Sequence, residues 1–324
     1  MWIGFCKRDL EDYKDVREII IKARHEPEEL KLLKCLKPRM DLSEKDRNTL
    51  TNLEKGYAGE VLFDSWVEDL SNDWIILNDL LLESNHTEFQ IDSLLISPEI
   101  IYQFEVKNYD GDFYIEDDKW FSQSGKEINN PLHQLERSES LFRRLLNDFG
   151  VKTPIKSFVC FVNPEFHLYE APRNQPIIFP TQLPRFIKKL QKNSPRIQKA
   201  PLKLAEKIAA AHMNESRHKR VYEYQFEKFK KGVRCFNCVS FMANFSPEQF
   251  VCYRCGVKEK VATGILRTVE EFILLFPERR ITTNAIYEWC KGIKSKRTIR
   301  RILLLKYKPF GNGKDSYFVK MLDK

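Results

Sequence analysis

Glycine and proline are sparse in this chain of 324 residues, at 12 and 15, which excludes collagen-like and low-complexity architectures. No apolar run approaches the ~20 residues that a bilayer-spanning helix needs. The opening residues, MWIGFCKRDLEDYKD, lack a basic stretch followed by an apolar one, so no secretory signal is expected. A reducing cytoplasm is the compartment this implies, and there eight cysteines read as metal ligands or core residues rather than as a disulfide frame. Histidines number six; His133 reads as a surface residue, and His167 and His212 have no partner that sequence identifies. Acidic residues are nearly missing from the last 34 positions, which hold 11 Lys and Arg against two Asp.

The remaining composition, 42% hydrophobic and 31% charged, is that of a soluble protein with two or three domains. Its charge is unevenly spread. Residues 1–54 are neutral, residues 55–150 carry net −13, residues 151–290 net +12 and residues 291–324 net +9. Acidic side chains gather where a divalent metal is held and basic ones where phosphate is held, although two solvated faces of opposite sign give the same composition.

Residues 1–54 are rich in helix formers and suggest short amphipathic helices rather than a sheet. A helical pattern at 56–70 is followed by strand patterns at 74–77, 90–96, 101–107 and 112–121. A helix is expected over 131–149 and a buried strand over 155–162, so residues 55–165 form an α/β core. Four prolines between 172 and 184 mark a loop, with helices at 185–190 and 201–223 beyond it.

One constellation in the acidic segment is chemically specific. Strand positions two apart share a face, so Glu105 and Lys107 point together while Val106 faces the other layer. A hairpin pairing with the strand QIDSLLI would bring Asp92 beside Glu105, and Glu60 lies on the preceding helix. Two carboxylates can hold Mg²⁺ or Mn²⁺ with positions left for water and a phosphate oxygen, and an adjacent ammonium can orient the attacking water. A Glu and a Lys two apart also occur on solvated strands; here Ile101, Tyr102, Phe104 and Val106 argue for a buried one.

These pieces, GYAGE, QIDSLLI, FEVKNYDG and NPLHQLERSESL, resemble the nuclease-related domain (NERD) family, a branch of the PD-(D/E)xK nuclease superfamily. The surrounding DLSEKDRNTLTNLEKGYAGE, FVNPEFHLYEAP and FPTQLPRF are similar to bacterial members with a C-terminal zinc-binding segment. The resemblance implies a mixed sheet flanked by helices over residues 55–165, with Glu60, Asp92, Glu105, Lys107 and Gln134 as the active-site set; of these, Asp92 and Glu105 are expected to hold the metal, with Glu60 a further ligand directly or through water. None of the five is substituted.

Further on, Cys235-Phe-Asn-Cys238 and Cys252-Tyr-Arg-Cys255 stand 13 residues apart, with Gly256 after the second pair. Paired CxxC knuckles at this distance point to a structural Cys₄ zinc site, a zinc ribbon over residues 231–260. Residues 166–230 are a linker with helices, and residues 261–324 read as two helices, a basic third helix capped by Ser295, and a hairpin around Asn312-Gly313. That is the outline of a winged helix, with Lys296, Arg297, Arg300 and Arg301 facing duplex DNA and Lys308 and Lys314 on the wing. A helical domain with a solvated basic face, or a protein-binding winged helix, has the same outline. The functional expectation is a divalent-metal-dependent DNA nuclease to which the zinc ribbon and basic module deliver DNA; the alternative is a non-catalytic DNA-binding or regulatory protein on a nuclease-like fold.

Overall fold

The structure, a computed structural model, describes residues 19–68, 70, 74–192 and 199–321. The chain runs through β1 (Ile19–Lys22), α1 (Glu28–Leu36), α2 (Glu44–Val67), β2 (Ile75–Ser84), β3 (Thr87–Ile96) and β4 (Ile101–Lys107). It continues with β5 (Gly111–Glu116), β6 (Lys119–Ser122), β7 (Glu127–Ile128), α3 (Pro131–Asp148), β8 (Ile155–Phe161), β9 (Phe166–Tyr169) and β10 (Ile177–Ile178). Then come α4 (Leu183–Lys192), α5 (Lys199–Ala210), β11 (Ala243–Asn244), β12 (Gln249–Val251) and β13 (Lys258–Lys260). The last elements are α6 (Val261–Leu275), α7 (Thr283–Trp289), α8 (Lys296–Leu303), β14 (Tyr307–Phe310) and β15 (Tyr317–Lys320).

These form two compact units. The first comprises residues 1–26 and 52–219, the second residues 27–51 and 220–324. In the first unit a six-stranded mixed sheet is ordered β1-β2-β3-β4-β8-β10. Strands β2, β3 and β4 are antiparallel neighbours, and β4 runs parallel to β8. Both faces of the sheet are covered, which is why apolar residues of β4 point to either side. On one face Ile101 and Leu94 pack with Phe142, Leu145 and Leu146 of α3. On the other, Phe104 and Val106 pack with Phe63 and Val67 of α2 and with Leu183 and Ile187 of α4. Helix α3 starts where the sequence places it: Asn130 Oδ1 accepts the Leu132 N–H at 2.9 Å, and Pro131 occupies the first turn. A second sheet, β7-β6-β5-β9, packs Trp120 and Phe166 beside Phe161.

The second unit holds α1, the three-stranded sheet β11-β12-β13, helices α6 to α8 and the hairpin β14–β15. At its centre the buried guanidinium of Arg39 donates to both oxygens of Glu271 (2.7 and 2.9 Å) and to the carbonyls of Lys230 and Gly232. It lies 4.0 Å from the Trp289 ring. Every donor direction in use meets an acceptor, which is the condition for burying such a charge.

Two expectations are corrected. The N-terminal region is not helical throughout: Ile19–Lys22 is a strand parallel to β2, and residues 27–51 belong with the C-terminal unit. Residues 1–18, with Cys6, lie outside the described residues. The helix expected over 201–223 ends at Ala210. Beyond it, His212 Nδ1 accepts the Leu81 N–H and Met213 donates to the Leu81 carbonyl, while Ser216 and the Arg217 N–H bind the Glu88 carboxylate. These long-range hydrogen bonds outweigh local helix propensity. Among the described residues no helix is long and apolar enough to cross a membrane.

Candidate active site and metal centre

Strands β3 and β4 pair from Ser93↔Phe104 to Ile96↔Ile101, and Asp92 and Glu105 are the next residues of the two strands at the end of that paired stretch. Asp92 is buried, and its Oδ2 accepts the Val106 N–H at 2.7 Å. Glu105 is also buried. Lys107 Nζ donates to Glu105 Oε1 at 2.7 Å and to Gln134 Oε1 at 3.0 Å. The first turn of α3 thus meets the end of β4 through one ammonium.

Burial raises the pKa of Asp92, and the charge of Lys107 and the Val106 N–H offset this only in part. Burial, then repulsion from Asp92, brings Glu105 up to about 7 against the pull of Lys107. Burial alone would lower Lys107, but Glu105 and Asp92 together raise it, so the ammonium stays charged.

Glu60 has a different neighbourhood. Arg24 Nη1 donates to Glu60 Oε2 at 2.6 Å, and the same guanidinium grips both oxygens of Asp64 (2.8 and 3.0 Å) and the Asp92 carbonyl (2.8 Å). Burial, then Asp92, raises Glu60 to about 8 even with Arg24 beside it. Neither Arg24 nor Asp64 was found from sequence. Asp64 stands one helical turn after Glu60 and so shares its face, but nothing local ties Arg24 to either.

Among the described residues, one group brings three or more His, Cys, Asp or Glu donor atoms within 4.8 Å of one another: Cys235, Cys238, Cys252 and Cys255. Their sulfurs approach as closely as 3.6 Å (Cys235–Cys255) and 3.4 Å (Cys238–Cys252). The Ser240 backbone N–H, then its side chain, hold Cys238 down to about 6, while burial pushes Cys235 up to about 11. Gly256 follows the second knuckle with φ +74°, and Val239 takes φ 56° at the matching place in the first. Four converging thiols can hold a zinc ion. Cys35, Cys160 and Cys290 are buried elsewhere.

The basic candidates of the C-terminal segment sit on one short helix and its hairpin. Ser295 Oγ accepts the Thr298 N–H and caps α8, whose Ile299, Ile302 and Leu303 are buried. Lys296, Arg297, Arg300, Arg301 and Lys308 are exposed. The side chain of Lys314 lies outside the described residues.

Comparison with known proteins bears on the first unit. The small subunit of the heterodimeric restriction endonuclease R.BspD6I is among the similar solved structures. It is 10% identical, covers 56% of this chain and 86% of its own, and has a TM-score of 0.20, too low to argue from. No curated protein matches the chain. The nuclease-related domain family, by contrast, matches residues 55–162, the stretch that carries Glu60, Asp92, Glu105, Lys107 and Gln134. The chain thus carries a stretch, residues 55–162, that matches the nuclease-related domain.

Proposed function

We propose that the chain is a divalent-metal-dependent nuclease acting on DNA. The observation that carries this is the charged Lys107 held between Glu105 and Gln134. Asp92 and Glu105 suit a hard cation: both are buried, the charge of Asp92 disfavours that of Glu105, and Lys107 is the cation that acts on both, with Arg24 acting on Asp92 as well. Mg²⁺ or Mn²⁺ on that pair would polarise a phosphodiester and lower the pKa of bound water. Lys107 would then donate to the attacking water or to the scissile phosphate, and Gln134 would hold the ammonium in place. Glu60 would act from the side of Arg24, as a further ligand or through water.

In this reading the second unit supplies DNA affinity. The four cysteines hold one structural zinc and form a zinc ribbon, and α6 to α8 with β14–β15 form a winged helix whose α8 enters the major groove of duplex DNA. Lys296, Arg297, Arg300, Arg301, Lys308 and Lys314 would meet phosphates or base edges.

One observation favours a second reading, a non-catalytic DNA-binding protein on a nuclease-like domain: Arg24 already supplies a cation to Glu60. Cleavage of linear, circular and single-stranded DNA in an Mg²⁺ or Mn²⁺ series separates the two. The nuclease reading expects metal-dependent cleavage that Glu105→Ala and Lys107→Ala each abolish with DNA affinity retained. Either variant cutting at the parent rate would remove the site assignment.

A further inference from the structure

The three-stranded sheet β11-β12-β13 turns one face toward α6 and carries exposed side chains on the other. Phe250 and Glu259, paired across β12 and β13, turn toward α6, where a Cβ on Gly264 would stand 3.0 Å from the Phe250 ring and 3.1 Å from the Glu259 carboxylate. Glu259 is neutralised there by Arg267 at 2.7 Å. Alternation places Gln249, Val251, Lys258 and Lys260 on the opposite face, where Val251 is buried and the other three are exposed. Lys258 Nζ lies 4.3 Å from the ring of Phe245, which is 53% exposed.

The two knuckles also carry exposed rings. Phe236 and Tyr253 each occupy the position after the first cysteine of a CxxC, and they are 58% and 80% exposed. Neither ring is a zinc ligand, and neither packs in a core. Arg254 follows Tyr253 and is exposed. Glu248 is the one exposed acid between residues 231 and 260.

We propose that this surface binds single-stranded nucleic acid: Phe236, Tyr253 and Phe245 stack on unpaired bases while Arg254, Lys258 and Lys260 meet the phosphates. Exposed rings interleaved with cations are the physical requirement for such a platform, because every base has a face to stack and every nucleotide a charge to neutralise. A duplex hides its base faces and offers these rings nothing. A protein partner would use the apolar area but not the excess of positive charge, which repels basic surfaces and complements a polyanion. The proposal rests on the nucleic-acid reading above and deepens it: substrates with an unpaired stretch are preferred over uniform duplex.

The test uses the full chain loaded with zinc, without Mg²⁺ or Mn²⁺, and fluorescence anisotropy with a labelled oligo-dT strand and a labelled blunt duplex. The expected result for Phe236→Ala with Tyr253→Ala is a loss of strand affinity of about tenfold or more. Duplex affinity and zinc content should stay unchanged. Tyr253→Trp should keep strand affinity, and its indole emission should be quenched as oligo-dT is added. Oligo-dT binding at parent strength in the double variant, or no quenching in Tyr253→Trp, overturns the proposal. A change confined to self-association would give the surface to a protein and overturn it equally. A chain that binds oligo-dT through these rings but never cuts with metal loses the nuclease reading and keeps this one.

Discussion

The side chain of Arg24 is 3% exposed, and it serves Glu60, Asp64 and the Asp92 carbonyl at once. Arg24→Met would leave two carboxylates without their cation and a carbonyl without its donor. Breaking a buried pair from one side costs about 3–5 kcal/mol, and urea unfolding should show a loss of that order in the first unit; a loss below about 1 kcal/mol would fit an exposed pair instead. His212 gives a pH signature in the same unit. Its Nδ1 must be unprotonated to accept the Leu81 N–H, and burial, then Lys22, lowers its pKa below the ordinary 6.5. The unfolded chain therefore binds the proton first, so His212 supports the fold at neutral pH and withdraws that support as pH falls through 6.5 toward the folded-state value. Thermal unfolding from pH 7.5 to 5.5 should fall less steeply for His212→Asn, which keeps an acceptor but does not titrate; parallel curves would remove the assignment. Glu105 and Lys107 were legible because the strand period puts them on one face, and the cysteines because CxxC spacing is local. Arg24 and the partner of His212 were not, because their partners lie 36 and 131 positions away and no periodicity links such residues.

Helix α2 owes its position partly to a missing side chain. A Cβ built on Gly59 would lie 2.4 Å from the Cβ of Asn108, the residue just after β4, and Asn108 Nδ2 donates to the Lys55 carbonyl at 2.8 Å. Gly59 lets the helix that carries Glu60 touch the strand that carries Glu105 and Lys107. Alanine is worth up to about 1 kcal/mol over glycine inside a helix, whereas forcing the helix away from Asn108 costs about 1–3 kcal/mol. Gly59→Ala should therefore destabilise in denaturant unfolding despite its better propensity, and Gly59→Ala with Asn108→Gly should recover part of the loss. A stabilised single variant would mean that the close approach is absent. At this scale β4 was readable to the residue, because its apolar run is bounded by Pro98 upstream and Asn108-Tyr109-Asp110-Gly111 downstream. The short β1 was not: four residues gain strand character from pairing with β2, more than fifty positions on. Helix α5 was overrun because His212 and Met213 hydrogen bond to β2 where helical propensity alone would continue.

At the scale of the molecule the charges sort by unit more sharply than by sequence segment. The first unit carries 26 Lys and Arg against 31 Asp and Glu, net −5; the second carries 28 against 15, net +13. Duplex affinity should then reside in the second unit and be strongly salt-dependent, since each phosphate neutralised releases counterions. Helix α8 is where this is tested most directly. Arg297, Arg300 and Arg301 are exposed on it, opposite the buried Ile299 and Ile302, and no acidic side chain among the described residues pairs with them. The capped N-terminus adds its own partial positive charge. If each arginine meets a phosphate, replacing all three by Ala weakens duplex binding and makes the slope of log K against log salt shallower by about 0.9 for each phosphate no longer neutralised. An arginine that reads a base edge leaves the slope and changes sequence preference instead. Binding isotherms over a salt series, with the triple variant beside the parent chain, measure both. Unchanged affinity and slope would turn α8 into a protein-binding surface, and the exposed lysines of α4 and the linker would then have to carry the DNA.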